Sequence, residues 1–110
     1  MRIYISGPIT GVENYRENFR KAKEALCERG YTNVINPAEL CQVLPAAHTT
    51  YHEYMQICIH LINLADVIVM LPGWEVSPGC NYEARYAKGI EKPVEELKTF
   101  ADDRKMIDFE

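Results

Sequence analysis

The sequence predicts a three-layer α/β domain, in which helices cover both faces of a four- or five-stranded, mainly parallel sheet. Three observations predict this class. Segments with strand and helix patterns alternate as β-α-β-α-β-α with a possible final strand, which is the pattern of a parallel sheet. Residues 66–71 form a nearly unbroken, β-branched apolar run, which suits a strand covered on both faces. The length of 110 residues fits one domain, 1–110, with a single core.

The composition excludes several classes of protein. Hydrophobic residues make up 47% and charged residues 25%, as in ordinary globular domains, and no apolar run approaches the roughly 20 residues of a membrane span. The formal net charge is -4, so we expect a small-molecule partner rather than a nucleic acid polymer or a membrane. The chain starts directly with strand-like sequence instead of a secretory signal, and we expect a cytoplasmic location.

The cysteines and histidines do not form a recognisable metal site. No two cysteines stand at CxxC spacing or at zinc-finger distance from a histidine, so we expect reduced thiols. His48 and His52 are spaced i, i+4, but they straddle a predicted helix start and lack a nearby acidic third ligand. We therefore expect neither a metal nor a cofactor. The four cysteines are Cys27, Cys41, Cys58 and Cys80.

A glycine-punctuated loop separates the first strand from the first helix. Residues 2–6 alternate into an apolar strand, and the loop 7–11 follows. The loop lacks the lysine and hydroxyl of a Walker A motif and the spacing of a GxGxxG fingerprint, so a tight turn and a phosphate loop both remain open. Asn14 with Glu17 resembles a capping box, and the apolar residues that recur at helical spacing after it end at Gly30.

The middle of the chain predicts a short strand, a connection and a long helix. Residues 32–36 fit a second strand that ends at Pro37. Residues 38–49 form the connection, with a short helix expected around 39–43, and both a binding loop and a plain surface loop fit its length. Thr50 with Glu53 forms a second capping box, which opens a helix that reaches residue 64.

The strand at 66–71 and the helix after it form the unit that carries the candidate chemistry. Pro72 and Gly73 end the strand, and Ser77 followed by Pro78 is a typical helix start, so we expect a helix up to residue 89. Ligands of open parallel sheets bind where strands pass into helices. Glu83 lies about one and a half turns into this helix, where its side chain can line the crevice. The alternative is a solvated helical glutamate.

Two interpretations stay open for each part of the C-terminal region. Residues 90–97 fit an edge strand or a helix, because their charges do not suit the middle of a sheet. Residues 97–110 fit a docking or subunit-contact tail or a partly disordered end.

Three motifs, in this order, resemble the nucleoside 2-deoxyribosyltransferase-like superfamily. They are YISGPITG at 4–11, NPA at 36–38 and ADVIVMLPGWEVSPGCNYE at 65–83, and the resemblance covers most of residues 2–92. The chain resembles in particular an uncharacterised branch with YISGPxTG and LPGWExSxG motifs, and more distantly the 2'-deoxynucleoside 5'-phosphate N-hydrolases. The resemblance implies a flavodoxin-like three-layer sandwich.

The resemblance also implies an activity. In active relatives a glutamate matching Glu83 attacks C1′ of a 2-deoxyribosyl group and a tyrosine matching Tyr4 orients it. The chain would then cleave or transfer at the N-glycosidic bond of 2-deoxyribonucleosides or their 5′-monophosphates. Ser77 matches a phosphate ligand of the hydrolases and favours a nucleotide. The expected substrate-binding residues are Ser6, Gly7, Pro8, Thr10, Gly11, Asp66, Gly73, Trp74, Ser77 and Gly79.

Departures from the relatives leave other functions open. Cys58 stands where active relatives have an aspartate that handles the proton at the nucleobase, and a thiol is a poor substitute for a carboxyl group there. The chain has Pro8 and Thr10 where the hydrolases use polar or basic residues for phosphate, and Asp66 fits a structural hydrogen bond as well as a catalytic role. The alternatives are a catalytically impaired nucleotide-binding module and a structural or regulatory oligomer without a ligand.

A homodimer or higher homo-oligomer is expected. Relatives complete or border their pockets with a neighbouring subunit, and Trp74 lies in a turn that a monomer covers poorly. Stacking on a ligand base and packing over its own turn fit Trp74 equally well. The tyrosines expected to join this surface are Tyr51, Tyr54, Tyr82 and Tyr86.

Overall fold

The computed structural model of the protein describes residues 1–45 and 48–100. The strands are β1 (Ile3–Ser6), β2 (Val34–Ile35), β3 (Val67–Met70) and β4 (Val94–Glu96). The α-helices are α1 (Tyr15–Glu28), α2 (Tyr51–Leu64) and α3 (Pro78–Gly89), and 3-10 helices cover Pro37–Gln42 and Trp74–Val76. Residues 97–100 are also helical. None of the described helices is long and apolar enough to cross a membrane.

The strands form one parallel sheet in the order β2-β1-β3-β4. In the centre of the sheet, Ile3 of β1 lies opposite Val67 of β3 and Ser6 lies opposite Met70. Because both central strands run in the same direction, the loops that follow them meet at the carboxyl edge of the sheet. The predicted parallel α/β class is confirmed, with four strands in the described residues.

The two faces of the sheet bury separate halves of the core. Side chains alternate along a strand, so Ile3 and Ile5 pack beneath α1 on one face, together with Val67 and Val69. On the other face, Tyr4 and the alternate residues of β3 pack beneath α2 and α3. Helices therefore cover both faces, which gives the three layers of a flavodoxin-like sandwich.

Two of the three predicted helix starts have the expected side-chain bonds. Thr50 and Glu53 form the capping box at the start of α2, and the Ser77 hydroxyl accepts from the backbone N–H of Cys80 at 3.3 Å. The capping box at Asn14 is wrong. Asn14 precedes α1 but makes no side-chain cap bond, because its backbone is not extended.

Glu17, the expected partner in that box, pairs with Arg20 instead. Its carboxylate binds the Arg20 guanidinium one turn further along α1, where the fork of N–H donors matches two carboxylate oxygens. The first helix therefore starts without a side-chain cap. The short helix expected around residues 39–43 is the 3-10 helix Pro37–Gln42, which Asn36 caps through the backbone N–H of Ala38.

The structure decides between the two interpretations of residues 90–97. Residues 94–96 form the edge strand β4, which within the described part of the chain pairs only with β3 and so tolerates the charged Glu95 and Glu96. Phe100 is fully buried and its ring lies 5.2 Å from that of Tyr31. Leu97 and Phe100 therefore pack into the core, whereas the rest of the predicted docking tail, 101–110, lies outside the described residues.

Candidate active site

A buried carboxylate lies at the carboxyl edge of the sheet. Glu83, in the second turn of α3, is only 6% exposed. Tyr4 donates its hydroxyl to Glu83 Oε2 at 2.9 Å, and Ser6 donates to Oε1 at 2.6 Å. Each carboxylate oxygen thus has its own hydroxyl donor, and Glu83 is not the solvated glutamate of the alternative interpretation.

Strand β1 supplies both donors because side chains alternate between the two faces of a strand. Tyr4 and Ser6 are two residues apart, so their side chains leave the same face of the strand and point towards α3. The sequence predicts the approach of Tyr4 to Glu83. It assigns Ser6 only to the substrate, whereas the structure gives Ser6 a direct bond to the carboxylate.

Burial sets the electrostatics of the site. Desolvation raises the pKa of Glu83, and the hydrogen bonds from Ser6, Tyr4 and Cys58 offset that rise only in part. Burial and the nearby charge of Glu83 raise the pKa of Tyr4 well above its usual value, so Tyr4 remains a protonated donor at neutral pH. A carboxylate that is desolvated in this way is a stronger base and nucleophile than one in water.

A cavity of about 620 Å³ opens beside Glu83. The loop after β1, the first two turns of α2 and the start of α3 form its walls. Glu83 is the one charged residue among the described residues that line it. The predicted site residues in its wall are Tyr4, Gly7, Pro8, Thr10, Ser77, Gly79 and Glu83.

Two of the lining glycines keep the walls close together. A Cβ at Gly7 would lie 2.7 Å from Leu71 Cδ1, so glycine allows the loop after β1 to touch the end of the β3 segment. A Cβ at Gly79 would lie 3.0 Å from Tyr51 Oη, where α3 begins beside α2. Gly11 and Gly73 have positive φ values of 80° and 87°, and both lie outside the cavity wall in turns that favour glycine.

Asp66 and Trp74 also lie outside the cavity. Asp66 precedes β3 at the opposite, amino edge of the sheet, where its Oδ2 accepts from the backbone N–H of Arg2 at 2.6 Å. Of the two interpretations of Asp66, a structural hydrogen bond and a catalytic role, this contact fits the first. Trp74 is half-buried in its turn and packs against the core beneath α2 and α3.

Apart from the position of Cys58, the sequence analysis missed the contribution of α2 to the site. Tyr51, Tyr54, Met55 and Cys58 line the cavity from one face of this helix. Their spacing of three and four residues is the available signal, but the same spacing also describes an ordinary core face. Cys58 is 1% exposed and lines the same cavity wall as Tyr4 and Glu83, so the position of the missing aspartate does face the carboxylate.

A second cavity of about 520 Å³ adjoins the first. Pro8, Val12 and Val76 line both, and the second one also holds Lys21 of α1, the one cation in its described wall. No group of three His, Cys, Asp or Glu side chains in residues 1–45 and 48–100 could hold a metal ion.

The described residues form a parallel α/β fold that holds a buried, doubly hydrogen-bonded carboxylate beside a cavity at the carboxyl edge of its sheet. The chain belongs to a family described as a domain of unknown function, DUF4406, whose profile matches residues 1–96. The match spans all four strands and the three α-helices. No curated protein matches the sequence.

Proposed function

We propose that this protein cleaves or transfers at the N-glycosidic bond of 2-deoxyribonucleosides or their 5′-monophosphates, with Glu83 as the nucleophile. The observation that carries the proposal is the Glu83 carboxylate, buried beside a cavity and held by two hydroxyl donors. The resemblance of the motifs at 4–11 and 65–83 to the nucleoside 2-deoxyribosyltransferase-like superfamily supports the choice of bond.

The geometry suits a retaining displacement. One oxygen of Glu83 attacks C1′, the C1′–N bond breaks, and its electron pair leaves with the base, which takes up a proton. The product is an ester between Glu83 and the sugar, which water then hydrolyses or a second base displaces. Tyr4 and Ser6 hold the carboxylate in one orientation during both steps. The low dielectric of the site strengthens the attraction between Glu83 and the positive charge that develops at C1′.

A nucleotide-binding module without turnover is the second candidate. The departing base needs a proton, and the described cavity wall contains no carboxyl group besides Glu83. Cys58 stands at the position where relatives have the proton-handling aspartate. A thiol is a weaker acid catalyst than a carboxyl group. Such a module would still bind a nucleotide in the cavity but would not cleave the N-glycosidic bond.

Release of free base separates the two candidates. The protein is incubated with a panel of deoxynucleosides and their 5′-monophosphates, and base is quantified by chromatography. The proposal expects release that Glu83→Gln abolishes and that Glu75→Gln, an exposed glutamate on the neighbouring turn, leaves unchanged. Binding of a panel member without any release supports the second candidate.

The same panel addresses the 5′-phosphate. The cavity beside Glu83 has no lysine, arginine or histidine in its described wall, and the Ser77 hydroxyl, which accepts the cap bond of α3, can offer a phosphate only its own hydrogen and no charge. Lys21 in the adjoining cavity is therefore the cation best placed for a phosphate. If a nucleotide is preferred, Lys21→Ala should reduce that preference. Lys23→Ala is the control and should not reduce it, because the Lys23 ammonium faces Glu39.

We also propose a cytoplasmic homodimer. Tyr51 is 59% and Val76 87% exposed, and both stand at the wall of the cavity, so a second subunit would cover apolar surface and close the site. Light scattering at micromolar concentration tests the assembly. A mass equal to the 12.7 kDa chain would exclude the dimer.

A further inference from the structure

A tyrosine at the mouth of the cavity takes no part in the displacement at C1′ described above. Tyr51 is the first residue of α2, and the capping box of Thr50 and Glu53 fixes the start of that helix. The side chain of Tyr51 lines the cavity beside Glu83, and the residue is 59% exposed. Its phenol is therefore within reach of both a ligand in the cavity and water.

Tyr51 carries the one phenolic hydroxyl of the described cavity wall that is not already engaged. Tyr4 donates to Glu83 Oε2 at 2.9 Å, and Tyr54 donates to the backbone carbonyl of Pro37 at 2.9 Å. The Tyr51 hydroxyl makes no hydrogen bond within the described part of the chain. Of the three tyrosines, Tyr51 is thus the one whose hydroxyl can turn to a ligand.

The fold holds this hydroxyl close to the helix that carries Glu83. A Cβ at Gly79 would lie 3.0 Å from Tyr51 Oη, so the phenol reaches from α2 to the first turn of α3. Gly79 and Glu83 are four residues apart, and side chains at that spacing share one helix face with their Cβ atoms about 5–6 Å apart. The Tyr51 hydroxyl therefore lies about one helical turn from Glu83, on the same face of α3.

That spacing suits an acid that acts together with a nucleophile. In retaining glycosidases the two groups are about 5–5.5 Å apart, which places the reacting carbon and its leaving group between them. The two thiols of the wall, Cys58 and Cys80, are each 1% exposed, and a thiol is a weak hydrogen-bond donor. The aliphatic hydroxyls of the wall are much weaker acids than a phenol, whose ordinary pKa is about 10.

We propose that Tyr51 is a catalytic residue that contacts the departing base and donates its hydroxyl hydrogen to it. The inference deepens the function proposed above and rests on it. As the C1′–N bond breaks, its electron pair goes to the base, and the proton of Tyr51 Oη passes to an acceptor nitrogen or oxygen of that base. The remaining phenolate takes a proton from water, which reaches the exposed ring.

The charge of Glu83 couples this proton transfer to the displacement. Partial burial and the nearby charge of Glu83 raise the pKa of Tyr51, so the phenol is protonated before the reaction. Formation of the ester between Glu83 and the sugar removes that charge. The pKa of Tyr51 then falls towards that of an ordinary phenol, and the hydroxyl becomes a stronger acid as the base departs.

The first test measures base release by Tyr51→Phe, which removes the hydroxyl and keeps the ring. General acids contribute about 10²- to 10⁴-fold to a rate, and a phenol is a weak one, so kcat should fall about 100-fold. The loss should shrink for bases that depend less on a proton, which are 5-fluorouracil compared with uracil and 7-methylguanine compared with guanine.

Tyr82→Phe is the matched control for this test. Tyr82 is 57% exposed on α3 and lies outside the described cavity wall, so its hydroxyl should not affect kcat for any of these bases. An unchanged kcat in Tyr51→Phe, or an equal loss with the good and the poor leaving group, would overturn the inference.

The second test measures binding by calorimetry in Glu83→Gln, so that the ligand is not cleaved. Adding Tyr51→Phe should weaken the binding of deoxynucleosides about fivefold, because the base loses a hydrogen bond. 2-Deoxyribose and its 5-phosphate have no base, and their binding should not change. An unchanged affinity for deoxynucleosides, an equal loss for the sugar alone, or no binding of any deoxynucleoside would contradict the role of Tyr51.

The two proposals fail in different ways. A protein that releases base at the same rate in Tyr51→Phe keeps the proposed function and rejects this inference. A protein that releases no base, but loses affinity for deoxynucleosides alone when Tyr51 is changed, rejects the proposed function and keeps the contact between Tyr51 and the base.

Discussion

Glu83 and Asp66 are two hydrogen-bonded carboxylates at opposite ends of the same sheet, and their environments push their acidities in opposite directions. Burial raises the pKa of Glu83 at the carboxyl edge. The backbone N–H of Arg2 lowers the pKa of Asp66 at the amino edge, with help from the N-terminus and Lys92, and Asp66 is exposed. Hydrogen bonds alone do not decide the acidity of a carboxyl group, because the loss of water around Glu83 outweighs three of them.

The comparison also separates a functional site from a structural one. The amino edge presents Asp66 to solvent and to the backbone N–H of Arg2, whereas the carboxyl edge presents Glu83 to a cavity that a small molecule can enter. A carboxylate that is kept charged in a desolvated cavity lowers stability, and such groups cluster at sites that bind a ligand or carry out a reaction. The following experiments test this division of roles.

The largest expected effect is on turnover. Glu83→Gln should reduce base release by about 10⁴-fold or more, the order of loss seen when an enzyme loses its nucleophile. Asp66→Asn, the matched change at the amino edge, should leave kcat within about twofold, because Asp66 lies outside the cavity. Both are measured by chromatography of the free base. Comparable losses of kcat in the two variants would contradict the assignment of the reaction to the carboxyl edge alone.

Removing one donor from Glu83 should have the next largest effect. Tyr4→Phe leaves Oε2 without its hydroxyl, and we expect kcat to fall by about 10- to 100-fold, as for the loss of a hydrogen bond to a charged group. Since that donor lowers the pKa of Glu83, the acid limb of the pH–rate profile should move to higher pH. The exposed Tyr82→Phe on α3 is the control. An unmoved acid limb would show that Tyr4 does not act on the carboxylate.

The next prediction concerns a second carboxyl group placed beside Glu83 at the carboxyl edge. Cys58→Asp should create or increase base release by about tenfold, because it restores a carboxyl group at the position that the relatives use for the base. Repulsion from Glu83 and burial should raise the pKa of one of the two carboxyls, which then retains a proton for the departing base. A folded variant without any gain would point to a lost binding geometry, and so to an oligomer without a ligand.

The smallest effects are on stability, and they should have opposite signs. The raised pKa of Glu83 means that its contribution to stability is present below its unfolded-state pKa and is lost as the pH rises through the folded-state value. Glu83→Gln should therefore gain stability relative to the native protein as the pH increases from acid to neutral.

Asp66 should behave in the reverse manner. Its lowered pKa gives stability that is present above the unfolded-state value and is lost as the pH falls through the folded-state value. Asp66→Asn should be less stable than the native protein near neutral pH, and the difference should vanish in acid. Urea unfolding of both variants across a pH series measures the two trends. Parallel trends would mean that the two carboxylates experience similar environments.

Local patterns along the chain predict the three α-helices, the first three strands and the place of Glu83. The apolar run of β3, the cap and proline at Ser77 and Pro78, and the capping box at Thr50 act over a few residues, so their patterns can be read directly along the chain. The approach of Tyr4 to Glu83 follows from the same patterns, because in a parallel α/β domain the first strand and the helix after the third flank one crevice.

Contacts between distant segments decide which other groups reach that carboxylate. Ser6 and Glu83 are 77 positions apart, and their bond depends on the register of β1 against β3 and on the rotation of α3 about its axis. The same rotation and the position of α2 turn Cys58 towards Tyr4 and Glu83. Asp66 falls at the far edge because a parallel strand places its two ends about 10 Å or more apart. Local patterns specify which side chains a segment offers, and packing between distant segments selects the ones that meet.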